Sequence, residues 1–317
     1  MINTRNSCDS WKIRYIQLLE SEIGSGACER EAFGLRDANA PRSLYRYRKF
    51  NEHTVQELRE GYFWISPPDD FNDPFDSALL IQHDLILAEM AKKSVGQFLD
   101  RPEIATLLAP EEKTSIHALD NPLPYLFEIV QRGTGHIVSW DKFMEQANVN
   151  LAPMWQAQSK RIANYLKICC FCENYTSTVM WGHYAEGHSG ICIEYNTQEL
   201  SSDDDIRPYL HPVIYAAKRF DSTGDYSPRK TAFRKFAALL PACHKSPDWS
   251  YEREWRLVIP IGPRDRKYRY PRFKPKRLLV GAKMTDEKRR EIEAIADDLS
   301  LPVSIGRLSR TDFSITF

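Results

Sequence analysis

Apolar and polar residues alternate in short segments at both ends of the chain, which is the pattern of half-buried β-strands. The clearest segment begins at residue 43, where tyrosine and arginine take turns and therefore occupy opposite faces of a strand. Its members are Tyr45, Arg46, Tyr47 and Arg48. Residues 62–66, rich in aromatic residues and ending in Ser66, predict a second strand. A short helix is expected between them, with Asn51 as its cap and Gly61 as its end.

Between about residues 78 and 168 the apolar residues follow the period of an α-helix, and prolines divide this region into several helices. Ahead of the first strand we expect one amphipathic helix near Tyr15, after which glycines up to Gly34 interrupt the chain. Strands return after residue 168, the longest of them over residues 249–259. A helix is expected over residues 228–245, and the tail predicts strand, helix and strand.

Strands, then helices, then strands again favour an α+β fold with a mixed or antiparallel sheet. A doubly wound parallel sheet would instead alternate strands and helices along the chain. We expect an N-terminal accessory segment of residues 1–40 and a single α+β domain of residues 41–317. A helical insertion at about residues 78–168 would interrupt that domain.

Charge and composition narrow the function classes. The chain has 43 Lys+Arg and 43 Asp+Glu, and zero net charge argues against non-specific coating of nucleic acids or membranes. No apolar run approaches the roughly 18 residues that cross a bilayer, and the polar N-terminus has no secretory signal pattern. Seven irregularly spaced cysteines suggest reduced thiols. We therefore expect a cytoplasmic protein without membrane association.

Glycine-rich P-loop and Rossmann motifs are missing from the sequence, which disfavours those nucleotide-binding classes.

Four clusters of aromatic and polar residues are the candidates for chemistry. They are Leu44-Tyr-Arg-Tyr-Arg48, Ser66-Pro-Pro-Asp-Asp-Phe-Asn-Asp-Pro-Phe75, Met180-Trp-Gly-His-Tyr-Ala-Glu-Gly-His188 and Trp249-Ser-Tyr-Glu-Arg-Glu-Trp-Arg256. At these clusters the chain resembles a bacterial family described as domain of unknown function 2971. That family's pattern runs Tyr-x-Tyr-[Arg/Lys], Phe-Asn-Asp-Pro-Phe, Met-Trp-x-His-Tyr and Trp-x-x-Glu-x-Glu-Trp-Arg. The resemblance extends from about residue 44 to 258 and implies no particular chemistry.

The last cluster carries two carboxylates. On a strand, Glu252, Glu254 and Arg256 would share one face. Carboxylates placed in this way could hold a ribose hydroxyl or act as acid and base. An exposed charged face, or an internal ion pair between strands, explains the same pattern.

The first cluster combines flat rings with cations. Tyr45 and Tyr47 could stack on a ring, and Arg46 and Arg48 could bind phosphate oxygens. The alternative is a tyrosine face packed on the core with the arginines in solvent. Ser66 could hydrogen-bond a ligand, or cap the turn at the two prolines that follow it.

Two further clusters hold polar side chains beside aromatic residues. Asn72 and Asp73 could face a pocket, or serve only the turn before proline. His183 could act as a catalyst and Tyr184 as a ligand contact, or both could be structural. His183 and His188 are five residues apart, which is poor spacing for joint metal binding on a helix. No metal site is expected.

Residues 264–277 are strongly basic with aromatic residues interleaved. This composition suits nucleic-acid binding through phosphate attraction and base stacking. The candidate contacts are Arg264, Arg266, Lys267, Arg269 and Arg272. A solvated basic loop is the alternative.

In the order of its motifs the chain also resembles ADP-ribosyltransferases, more weakly. That resemblance implies a split sheet and NAD as a substrate. It also implies an arginine that holds the ribose or phosphate, a serine or aromatic residue beside the nicotinamide, and a later glutamate that grips the ribose. Arg46 or Arg48, Ser66, and Glu252 or Glu254 would fill these positions. The long helical region departs from compact members of that family.

These observations lead to one main hypothesis and two alternatives. The main hypothesis is a bacterial defence or toxin-type effector, an NAD-using ADP-ribosyltransferase-like enzyme that acts on a nucleic acid or protein. The alternatives are a metal-dependent nuclease of a phage-defence system, with His183 and the two glutamates at its site, and a non-catalytic sensor that binds a partner protein. The main hypothesis requires the four clusters to converge on one cleft, and it predicts that Glu254→Gln abolishes NAD turnover with little change in melting temperature.

Overall fold

A computed structural model of the chain describes residues 10–21, 26–200, 206–227, 234–261, 268–271 and 274–317. The chain divides into two compact units. The first takes its described residues from Met1–Ala78, Ile162–Arg219 and Ala238–Phe317, and the second from Leu79–Arg161 and Phe220–Ala237. The site discussed below lies entirely in the first unit.

The helices and strands have the following bounds. The helices are α1 (Ser10–Ser21), α2 (Ala27–Asn39), α3 (Glu52–Glu60), α4 (His83–Leu99), α5 (Pro102–Ala105), α6 (Pro110–Ala118), α7 (Leu123–Thr134), α8 (Trp140–Tyr165), α9 (Thr178–Tyr184), α10 (Leu239–Ala242) and α11 (Asp286–Asp298). The strands are β1 (Ser43–Arg48), β2 (Tyr62–Ile65), β3 (Leu166–Cys172), β4 (Ile191–Asn196), β5 (Leu210–Pro212), β6 (Ile214–Tyr215), β7 (His244–Lys245), β8 (Glu254–Pro260), β9 (Tyr268–Pro271), β10 (Pro275–Val280), β11 (Val303–Ile305), β12 (Arg307–Leu308) and β13 (Ile315–Thr316).

The main sheet of the first unit combines antiparallel and parallel pairs. Among the described strands its order is β11-β10-β4-β1-β3-β8-β5. β10 and β11 run parallel, whereas the other neighbours in this sheet are antiparallel. The predicted α+β class with a mixed sheet is therefore confirmed.

The two faces of β1 carry different side chains, as its alternation predicted. Tyr45 and Tyr47 pack in a cluster with Trp181 of α9, whose ring meets the Tyr47 ring edge-on at 5.1 Å. Leu44 belongs to the main core with Phe63, Phe171 and other buried residues. One interpretation of the sequence placed the arginines of β1 in solvent. The structure contradicts it, because Arg46 is buried and Arg48 is only partly exposed.

The second unit consists largely of helices and has a core of its own. Residues of α4, α6 and α7 pack around Leu99 and Ile129, which are completely buried. None of the helices in the described ranges is both long and apolar enough to cross a membrane.

The structure corrects three expectations about local structure. Gly26 does interrupt the chain, with a φ of +70°, but α2 then continues through Gly34. The helix expected over residues 228–245 is replaced at its end by α10 and β7, while residues 228–233 lie outside the described part. The long strand expected over residues 249–259 begins only at Glu254, after a 3₁₀ helix, Pro247–Glu252.

The 3₁₀ helix has a clear local cause. Ser246 caps it by accepting a hydrogen bond from the Asp248 N–H, and Pro247 occupies its first position. Arg253 then takes a φ of +43° and redirects the chain into β8. Glu252 and Glu254 therefore belong to different elements, although both side chains reach the same place.

Candidate active site

One cavity in the first unit is lined by residues from five separate stretches of the chain, within 45–54, 64–76, 168–172, 180–184 and 245–254. Its volume is about 590 Å³, which is within the usual range for small-molecule sites. The predicted site residues that line it are Tyr45, Arg46, Tyr47, Arg48, Ser66, Asn72, His183, Tyr184, Glu252 and Glu254. The cavity thus brings together predicted site residues from β1, the end of β2 and the loop after it, α9, and the start of β8 with the residues just before it.

The cavity lies where β1 and β3 part. Over the described chain these strands pair at a single position, Tyr45 opposite Cys172, and residues 168–172 of β3 line the cavity. At Ile168, β3 pairs with the backbone of Ser66 and not with β1. The Ser66 N–H donates to the Ile168 backbone oxygen at 3.0 Å, and the Ser66 backbone oxygen accepts from the Ile168 N–H at 2.8 Å. The gap between β1 and β3 is therefore open to side chains from both strands.

A buried group of charges contributes to the cavity lining. It consists of Asp76, Lys245, Glu252, Glu254 and Arg256, and we call it the acidic cluster. All but Arg256 line the cavity, and every member is at most 8% exposed. Three carboxylates face two cations, so the ionised cluster carries a net negative charge.

Within the cluster, Glu254 is held by both cations. Arg256 binds it through Nε at 2.8 Å and Nη2 at 2.9 Å, and Lys245 Nζ lies 3.1 Å from its Oε2. Burial acts to raise the pKa of Glu254, but Arg256 and Lys245 outweigh burial and hold the pKa at about 2. Glu254 is therefore ionised at neutral pH.

Glu252 has a different environment from Glu254. Tyr184 donates its hydroxyl hydrogen to Oε1 at 2.6 Å, and Lys245 donates to Oε2 at 2.6 Å. Burial and the negative charge of Glu254 raise the pKa of Glu252, although Lys245 and Tyr184 counteract part of this effect. Glu252 is therefore the carboxylate that more readily takes up a proton.

The β1 arginines form a second, basic part of the lining. Both pair with the completely buried Glu57 of α3, and Arg48 Nη2 lies 3.1 Å from its Oε2. Burial and the neighbouring Arg46 charge lower the pKa of Arg48 to about 9, which leaves it charged at neutral pH. Since one carboxylate faces two guanidinium groups, this arginine pair keeps a net positive charge. Lys49 and His53 line the cavity near it.

Aromatic side chains supply flat surfaces in the same lining. Tyr47, Trp64, Phe71 and Tyr184 all line the cavity. Burial raises the pKa of both Tyr47 and Tyr184, so their hydroxyl groups stay protonated. The Asn72 side chain acts to lower the pKa of Tyr184, which places the loop after β2 close to α9. Such surfaces suit a planar ring flanked by polar groups.

Some predicted residues lie elsewhere. Asp73 is not among the residues that line the cavity. Its Oδ1 accepts a hydrogen bond from the Phe75 N–H at 2.9 Å, which is the turn role that the sequence allowed as an alternative. Arg269 lies on β9, where it pairs with Glu60 at 2.6 Å and covers the Tyr62 ring. The other proposed nucleic-acid contacts, Arg264, Arg266, Lys267 and Arg272, lie outside the described residues.

His183 lies at the cavity, as predicted, and its neighbours there are two tyrosine rings. It lines the cavity, and its ring lies 6.2 Å from the Tyr184 ring and 6.5 Å from the Tyr251 ring. Over the described ranges, no group of three or more His, Cys, Asp or Glu could hold a metal ion.

Sequence inspection missed three charged residues of the site. Lys245 falls at the end of the helix expected over residues 228–245, Asp76 directly follows the Phe-Asn-Asp-Pro-Phe segment, and Glu57 lies in the helix expected between the first two strands. A signal for Lys245 was present, because the Ser246-Pro247 pair marks a new element immediately after it. Asp76 and Glu57 carry no local signal, since only the tertiary structure brings them to their cationic partners.

The comparison with protein families bears on two of the four clusters. Residues 180–257 match the family described as "Protein of unknown function (DUF2971)". The chain resembles this family. The matched range includes most of α9 and most of the acidic cluster, so the predicted resemblance is confirmed there. No curated protein and no solved structure matches the chain. The resemblance to ADP-ribosyltransferases stays a prediction.

Proposed function

We propose that the cavity binds NAD and that the protein breaks the bond between its ribose and nicotinamide, transferring ADP-ribose to a nucleic acid or protein. The observation that carries this proposal is the convergence of the arginine pair, the aromatic side chains and the acidic cluster on one cavity of suitable volume.

The charges of the lining suit the two ends of this ligand. NAD has an anionic diphosphate, and guanidinium groups bind phosphate oxygens through paired hydrogen bonds. As the glycosidic bond breaks, the positive charge of the nicotinamide ring moves onto the ribose, and the released nicotinamide is neutral. A fixed, buried carboxylate stabilises such charge strongly, because it needs no reorganisation during the reaction.

The two glutamates are suited to different tasks. Glu254, which Arg256 and Lys245 keep ionised, would stabilise the ribosyl cation. Glu252, whose pKa is raised, would accept a proton. Carboxylates whose environments drive their pKa values apart commonly divide acid–base work in this way.

In the proposed reaction a hydroxyl group of the target, or water, attacks C1′ of the ribose. A new O–C1′ bond forms as the C1′–N bond breaks, and its electron pair neutralises the nicotinamide ring. The hydroxyl proton passes to Glu252 and then to solvent. The reaction involves no oxidation or reduction.

Calorimetric titration of NAD into the wild-type protein, together with an assay for released nicotinamide, tests the proposal. We expect binding and release in the wild type, and loss of release in Glu252→Gln with binding retained. Glu60→Gln, on the exposed face of α3, is the matched control. A wild type that neither binds nor consumes NAD would rule the proposal out. Chelator-sensitive cleavage of DNA or RNA would support the nuclease alternative instead, and NAD binding without turnover would support a sensor.

We extend the proposal to a defence or toxin-type effector on the basis of the weaker resemblance to ADP-ribosyltransferases. In that role, expression of the wild-type protein should arrest bacterial growth, and expression of Glu252→Gln at the same level should not. Equal growth of the two strains would contradict the effector role without bearing on NAD cleavage.

A further inference from the structure

Lys245 occupies a central position in the acidic cluster. Its ammonium nitrogen lies 2.6 Å from Glu252 Oε2, 3.1 Å from Glu254 Oε2 and 3.7 Å from Asp76 Oδ2. It lies on β7, which pairs in parallel with β6. Its side chain is 5% exposed, and its nitrogen lies 4.9 Å from the centre of the Trp249 ring. The side chain is thus held on several sides.

The two glutamates depend on Lys245 unequally. Glu254 has a second cationic partner, because Arg256 binds both of its oxygens. Over the part of the chain that the structure describes, Lys245 is the one cation in an ion pair with Glu252. The other hydrogen bond to the Glu252 carboxylate comes from the neutral Tyr184 hydroxyl. Loss of Lys245 would therefore change Glu252 much more than Glu254.

We propose that Lys245 is the positioning residue of this site: by bridging the two carboxylates it keeps Glu252 ionised and aimed, so that Glu252 can accept the proton of the attacking hydroxyl group. The catalytic part of this inference rests on the proposed function. The electrostatic part concerns the folded protein alone and can be tested without NAD.

Several groups around Glu252 set its protonation. Burial and Glu254 raise its pKa, whereas Lys245 and Tyr184 lower it. The titratable and charged groups that face it from the surrounding elements are Cys172, Tyr184, Tyr215, Lys245, Tyr251 and Glu254, with Asp76 and Arg256 behind them. Of these, Lys245 is the positive charge in direct contact.

The kinetic test compares Lys245→Met with Lys245→Arg. An adjacent opposite charge shifts a buried carboxyl pKa by roughly one to three units, and its removal raises the pKa of Glu252. Because the reaction needs ionised Glu252, the acidic limb of the kcat profile should move up by about one to three pH units in Lys245→Met. Near pH 7, kcat should fall roughly tenfold or more, while KM for NAD changes little. Lys245→Arg should restore most of the wild-type profile. An unshifted limb in Lys245→Met would overturn the catalytic part.

The second test is independent of NAD. Protein labelled with ¹³C at the glutamate side-chain carboxyl carbon is titrated by NMR, and the resonance missing from Glu252→Gln identifies Glu252. Its midpoint should lie above that of Glu254 in the wild type, and should rise further in Lys245→Met. A midpoint unchanged by Lys245→Met would overturn the inference even if NAD is cleaved. Should Lys245→Met fail to fold, Lys245→Gln takes its place, because it keeps a hydrogen-bond donor without the charge: a Glu252 midpoint that does not rise would refute the inference. If NAD is not cleaved but the midpoints behave as expected, the proposed function fails and the role of Lys245 stands.

Discussion

Arg256 binds both carboxylate oxygens of Glu254, which lies two residues before it on the same face of β8. Its Nε lies 2.8 Å from Oε1 and its Nη2 lies 2.9 Å from Oε2. The same guanidinium also binds Asp76 and the backbone oxygen of Ala242. Both side chains are buried, with Glu254 in the cavity lining, so loss of the pair should be measurable as a loss of stability.

We expect Glu254→Gln to destabilise the protein by about 3 kcal/mol, because breaking a buried pair leaves a buried cation undercompensated. Sequence reasoning alone led to the opposite expectation, an unchanged melting temperature. The matched control is Glu252→Gln, which should cost about 1 kcal/mol or less, since burial disfavours the charged form of Glu252. Urea denaturation at pH 7 measures both. Equal losses in the two variants would contradict the assignment of the ion pair.

Stability should depend on Glu254 in acid. Its pKa is about 2 in the folded protein and close to 4.3 in an unfolded chain. A lowered folded-state pKa stabilises the fold above pH 4.3, and that contribution is lost as the pH falls toward 2. Between pH 6 and pH 3 the wild type should therefore lose about 2 kcal/mol more stability than Glu254→Gln. Urea unfolding at both pH values checks this, and parallel losses in the two proteins would refute it.

Glu57 should be essential for the fold around β1. It is completely buried and pairs with both Arg46 and Arg48, so Glu57→Gln should cost about 3–5 kcal/mol. Glu60 lies on the same helix and also pairs with an arginine, Arg269, but both side chains are nearly half exposed. Glu60→Gln should cost no more than about 1 kcal/mol. Similar urea midpoints for the two variants would show that the arginine pair does not depend on Glu57.

Two glycines of the α9 region should respond in opposite ways to alanine. A Cβ at Gly190 would lie 2.3 Å from the Arg48 oxygen, whereas a Cβ at Gly182 would meet nothing within 4 Å. Gly190→Ala should therefore destabilise the protein by about 1–3 kcal/mol or more. Gly182→Ala, within α9, should stabilise it by about 0.5–1 kcal/mol. Thermal unfolding of the two variants tests the close approach of β4 to β1.

Local patterns were sufficient to predict the parts of the site that lie on regular elements. The alternation in β1 correctly separated Tyr45 and Tyr47 from Arg46 and Arg48, because a strand has a period of two. The cap of α3 also follows from the sequence: Asn51 accepts a hydrogen bond from the Thr54 N–H, and Gly61 ends the helix with a φ of +75°. These features need only neighbouring residues.

The charged partners could not be predicted in the same way. Glu57, Asp76 and Lys245 become site residues only through tertiary contacts, such as that of Asp76 with Arg256, which is 180 positions away. The start of β8 was missed for a local reason. Residues 249–253 have a strand-like composition, so a strand was expected there although Ser246 and Pro247 are typical of a helix start.

The joint between β1 and β3 has a mechanical consequence. A sheet held together at one register, Tyr45 opposite Cys172, has few inter-strand hydrogen bonds to break if its two halves hinge. The arginines lie on one side of that joint and the glutamates on the other. A molecule that filled the cavity would therefore contact both halves of the sheet and restrain their relative motion. Slower amide hydrogen exchange in β1 and β3 would reveal its binding.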